Sequence, residues 1–102
     1  MVVGVLTVQI HLHGIGSLKD KRSIVKSVIG RLQSRFNASV SEVAALDSKL
    51  QGIVGVAVVS NEGPFVQQQL DTIISFIRGD GRFYVGRIER DVFDVDHDLA
   101  DY

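Results

Sequence analysis

The residues best equipped for chemistry lie together in HLHGIGSLKDKRSIVKS, from His11 to Ser27. His11 and His13 fall on one face of an extended segment, about 7 Å apart at the rise of a strand. Two imidazoles there could ligate a metal, but no third His, Asp or Glu follows at a recognisable spacing, and the chain has no cysteine. They read as residues at a strand end, and neither a metal nor a cofactor is expected. Gly14, Ile15, Gly16 and Ser17 lead into a helix, whose free N–H groups and positive dipole end suit an anion. The stretch is neither a Walker A loop nor a complete G-x-G-x-x-G, since Lys19 stands where the third glycine would be. A turn capped by Ser17 is the simpler reading.

The residues after the cap carry more information. Lys19, Lys21, Arg22, Lys26, Arg31 and Arg35 face a single acid, Asp20, between His11 and Phe36, whereas residues 91–102 hold five Asp and no Lys or Arg, within a formal net charge of -1. The chain is bipolar. Projected on a helix at about 100° per residue, Lys19, Arg22 and Lys26 form one row and Arg31 and Arg35 a second, with Ser23, Ser27, Gly30 and Ser34 between them. Lys21 lies about 40° from the centre of the apolar stripe and is expected to snorkel past the first turn. An uncharged strip between cation rows would let a phosphate backbone approach, with Ser23 and Ser27 donating. The predicted contact set is therefore Lys19, Lys21, Arg22, Ser23, Lys26, Ser27, Arg31 and Arg35. The domain lacks the strongly basic balance of a dedicated nucleic-acid binder, and no DNA sequence specificity is expected.

These residues need a scaffold. Val2 to His13 alternates as a strand that is apolar on both faces in its first half. A helix over Leu18 to Phe36 buries Leu18, Val25, Val28, Ile29, Leu32 and Phe36. Residues 38–46 and 53–60 read as a hairpin, Pro64 and Gly79 bound a second helix, and Arg82 to Arg90 alternates as a fourth strand. The order β-α-β-β-α-β predicts an α+β ferredoxin-like domain over residues 1–90, with sheet order 4-1-3-2 and both helices on one face. Residues 91–102 form an acidic tail whose docking the pattern leaves open. The uncovered sheet face, with Val3, Val5 and Thr7, is expected to meet a second copy of the chain or the apolar residues of the tail.

Length and composition narrow the function classes. With 102 residues, 45% of them apolar, the chain suits one domain. No leader pattern and no run of roughly 20 apolar residues occurs, which predicts a cytoplasmic protein without membrane contact. Acylphosphatases share this fold but need an arginine in the loop after the first strand, which Gly14 to Leu18 lacks. Without paired carboxylates or a nucleophile motif, no enzyme is expected. An RRM would carry aromatics on its first and third strands, and VVGVLTVQIHL and IVGVAVVS have none.

The words SLKDKRSIVKS, then Arg35-Phe36-Asn37, Ser39-Val40 and Glu42-Val43, then Gly55 to Asn61 resemble the YlxP-like family of small bacterial proteins of unknown function. The resemblance covers most of residues 1–89. It implies a ferredoxin-like fold. The family's genes lie among those for transcription elongation, translation initiation and ribosome maturation, which implies a role near RNA or the ribosome. Between Ala44 and Gly52 the chain departs from the family's polar and aromatic stretch. The leading expectation is thus a non-enzymatic homo-oligomer that binds structured RNA or a ribosomal surface. The alternatives are an ACT-like module that binds a small molecule, and a structural protein that pairs through its sheet face.

Overall fold

Strand β1 (Val2–Leu12) is the axis of the molecule, described by a computed structural model over residues 1–14 and 16–96. Its even-numbered residues Val2, Leu6, Val8, Ile10 and Leu12 are buried, while the odd-numbered ones stay half-exposed on the other side. The remaining elements are α1 (Leu18–Arg35), β2 (Ser39–Ala44), β3 (Gln51–Ser60), α2 (Gly63–Arg78) and β4 (Phe83–Asp94). They make a four-stranded antiparallel sheet in the order β2-β3-β1-β4, the predicted order read from its other edge. Both helices contribute to one apolar core on the even face of β1: Val25, Val28 and Leu32 from α1, and Val66, Leu70, Ile73 and Ile77 from α2. The odd face is uncovered among the described residues.

Local chemistry explains the helix positions. Ser17 caps α1, its Oγ accepting from the Asp20 N–H at 3.1 Å, which satisfies one orphan donor of the first turn. α2 lies close on β1 because Gly4 has no side chain there: a Cβ would stand 2.5 Å from Val66 Cγ1 and 3.1 Å from Leu70 Cδ1.

Two expectations need correction. First, β4 does not stop at Arg90. Val92, Phe93 and Asp94 pair with Gly4, Val3 and Val2, and Val95 exchanges hydrogen bonds with Met1. The part of the acidic tail up to Val95 therefore lengthens the edge strand rather than folding across the open face. Alternation conceals this, because Asp91, Phe93 and Val95 share a side with Glu89 while Val92 is turned to the core. Residues 97–102 lie outside the described residues. Second, Lys21 does not snorkel to solvent. It is fully buried, and its Nζ donates to Glu42 Oε2 at 2.5 Å, to the Ala45 carbonyl at 2.9 Å and to the Leu46 carbonyl at 3.3 Å. Those three acceptors saturate an ammonium. Lys21 shares a helical face with Val25, Val28 and Leu32, and Glu42 sits two residues beyond buried Val40 on the inward face of β2. Ala45 adopts a left-handed conformation (φ 59°) as the β2–β3 connection turns its carbonyls toward Nζ.

Candidate nucleic-acid interface

The first turn of α1, the β2–β3 connection and the α2–β4 connection occupy the same end of the sheet, because each strand and helix reverses direction from the one before it. Lys21 ties the first two together. Around this pin the outward face of α1 emerges as predicted: Lys19, Arg22, Ser23, Lys26, Gly30, Arg31, Ser34 and Arg35 are exposed, and Ser27 is half-buried. Arg22 approaches Asp47 at 3.8 Å, but both side chains are mostly in water, so the pair is weak and leaves the guanidinium available. Ser34 Oγ donates to the Arg31 carbonyl at 2.9 Å. The row of Lys19, Arg22 and Lys26 is therefore brought together and lightly engaged, and Lys21 is removed from it.

The second row is tied to the fold. The Arg35 guanidinium lies 4.8 Å over the Phe76 ring, which meets Phe36 edge-on at 6.1 Å. Arg31 is exposed near Asp80, whose carboxylate makes a two-pronged contact with Arg82, at 2.9 Å to Nε and 2.5 Å to Nη2. The hydrogen bond from Arg82 holds the Asp80 carboxyl below its ordinary value, with a further contribution from the positive charge of Arg31.

Val3, Val5 and Thr7 stand half-buried on the open face, on the far side of the sheet from α1. They form a second surface with Ala57, Val59, Val43 and Phe93, the last three of which are well exposed. Sequence reasoning missed what occupies the other end of this face. His11 and Tyr84 are cross-strand partners whose rings stack at a centroid distance of 4.8 Å and an angle of 19°, and His13 stacks on the same tyrosine at 6.0 Å and 20°. The signal was present in the alternation of Phe83, Tyr84 and Val85, but the partner of Tyr84 depends on sheet order and register. Among the described residues, no group of three or more His, Asp or Glu could hold a metal ion. None of their helices is long and apolar enough to cross a membrane.

These features define a ferredoxin-like βαββαβ domain with a basic helix on one side of its sheet and an open apolar and aromatic face on the other. The chain belongs to the family described as protein of unknown function DUF503, whose model matches residues 3–90. It is 30% identical over 76 residues to the uncharacterized protein YlxP of Bacillus subtilis (strain 168), covering 74% of this chain and 83% of that protein. A solved structure of a REP-associated tyrosine transposase bound to a REP hairpin is similar at a TM-score of 0.43 and 8% identity. That match covers 97% of this chain, and this chain spans 60% of the transposase chain.

Proposed function

We propose that this protein is a non-enzymatic binding domain that docks the outer face of α1 on the phosphate backbone of structured RNA, the RNA surface of the ribosome included. The observation that carries the reading is the row of Lys19, Arg22 and Lys26, exposed beside the uncharged strip of Ser23, Ser27 and Gly30. Such a strip lets a backbone come close, while the flanking cations displace its counterions. Arg31 and Arg35 border the strip on its other side. Asp20 is the only acid of the helix, and Asp91, Asp94 and Asp96 lie on or beyond the opposite edge strand.

Salt-titrated binding to a structured RNA tests this. Changing Lys19, Arg22 and Lys26 to Glu should weaken binding and flatten the dependence of log K on log salt by about 2 to 3 units, close to one for each phosphate no longer neutralised. Unchanged affinity and slope in that variant would refute the assignment.

A second reading concerns assembly. Val3, Val5, Ala57, Val59 and Phe93 are neighbours in register and form an apolar region toward the β1 start of the open face, and burying such a region stabilises a pair of subunits. A second copy related by a twofold axis is the proposed occupant. The site on α1 would stay free in that dimer, since it lies on the other side of the sheet.

A further inference from the structure

The stack of His11, Tyr84 and His13 is more than a cross-strand contact. Tyr84 is 59% exposed, His13 is exposed and His11 is half-exposed, so the three rings form an aromatic surface outside the core. The backbone beneath it is shaped to hold it. The β1–β4 register shifts between Val8 and Ile10, so that Gly86 and Arg87 together oppose Gln9. A bulge of this kind re-aims the strand's side chains. Gln9 Oε1 accepts the Arg87 N–H at 3.2 Å, while Gln9 Nε2 donates to Gln51 Oε1 at 2.7 Å. The His11 ring lies in the space that a side chain at residue 86 would need: a Cβ on Gly86 would stand 2.5 Å from His11 Nε2 and 2.8 Å from Cδ2. Gly86 thus lets the ring lie against the sheet beside Tyr84.

The stack also has a charged neighbourhood. His13 is separated from the start of α1 only by residues 14–17, so the rings and the first turn of α1 share one end of the molecule. Lys19, Arg22 and Lys49 are exposed at that end. Among the described residues, the acids at that end are Asp20, Asp47, which is near Arg22, Glu42, which is held by buried Lys21, and Asp80, which is engaged by Arg82. Glu89, Asp91 and Asp94 lie progressively further along β4 toward the opposite end.

We propose that the His11, Tyr84 and His13 stack is a platform for an unpaired RNA base, at the same end of the sheet as the exposed Lys19 and Arg22. The inference rests on the RNA reading above and names the class of RNA: a strand with at least one accessible base at the edge of a structured region. Stacking suits the role because every base presents a π face, so that the platform recognises single-strandedness rather than sequence. The histidines add polar ring edges to a surface that tyrosine alone would make largely apolar.

Fluorescence anisotropy with three labelled ligands tests the proposal: a short single-stranded RNA, the same backbone carrying abasic sites, and a blunt RNA duplex. The wild-type chain should bind the intact strand more tightly than the abasic one. His13→Ala combined with Tyr84→Ala should weaken the intact strand by roughly tenfold or more and leave the other two ligands unchanged, while Tyr84→Phe should retain wild-type affinity. These positions are at the surface, so folding is preserved and is checked by circular dichroism. Equal affinity for intact and abasic strands, or a double variant that binds as wild type, overturns the platform. If only the Lys19, Arg22 and Lys26 charge reversal weakens binding, the α1 reading stands and the platform falls. If that reversal is silent while Tyr84→Ala loses the intact strand, the platform stands and the α1 reading falls. Failure of all three ligands to bind wild type overturns both.

Discussion

Replacing Lys21 with methionine removes a charge from the inside of the domain and nothing from its surface. The methionine keeps most of the apolar volume of the lysine stem, so the packing term is small. The change takes away the ammonium held by Glu42 Oε2, the Ala45 carbonyl and the Leu46 carbonyl. Breaking a buried pair from one side costs roughly 3–5 kcal/mol, because the remaining charge is stranded. The Glu42 side chain keeps 13% of its exposure, which admits some water and places the expectation at the low end, about 3 kcal/mol. For a domain of this size that is a fall in Tm of about 12–18 °C. Urea unfolding followed by circular dichroism measures it directly. Pairing the change with Glu42→Leu removes the stranded carboxylate, and should recover about half or more of the loss. The reasoning fails if Lys21→Met loses less than about 1 kcal/mol, or if the double variant is as unstable as the two single losses added together. Below its melting range, Lys21→Met should bind RNA as wild type does, because Nζ does not reach the surface.

Two further outcomes are expected. Val5→Asp, on the open face, should reduce the mass measured by light scattering to that of one chain without lowering Tm by more than a few degrees; a wild-type mass already equal to one chain refutes the twofold pairing. Asp80 has its folded pKa lowered from 3.8, chiefly by the hydrogen bond from Arg82. Its contribution is therefore present above the unfolded value and is lost as pH falls through the lower, folded one. Arg82→Gln should accordingly be less stable than wild type at neutral pH, with a gap that narrows below about pH 4. Urea midpoints across that range check it, and a gap that stays constant counts against the assignment.

The sequence was most readable where one element's pattern was sufficient. The alternation of β1, the Ser17 cap, the stripe of Val25, Val28 and Leu32, and the exposed row of Lys19, Arg22 and Lys26 follow from period and residue type alone. Its limits appear where a residue's environment comes from a distant segment. Lys21 shares the helical phase of the buried residues, yet whether a lysine there reaches water or a partner depends on Glu42 and on the carbonyls of the β2–β3 connection. The end of β4 was obscured for a similar reason: Asp91 and Asp94 look like a solvated tail, but an edge strand tolerates charge on its exposed positions while its backbone pairs with β1.

The sequence by itself determined the order of elements, the sheet they form and the basic outer face of α1, because periodicity, capping and turn chemistry act over a few residues. Only the tertiary structure decided that Lys21 is an internal pin and that His11, His13 and Tyr84 form one stack. Both depend on register between strands and on contacts across many residues of chain, such as the 21 that separate Lys21 from Glu42. No local pattern encodes which side chains such register brings face to face.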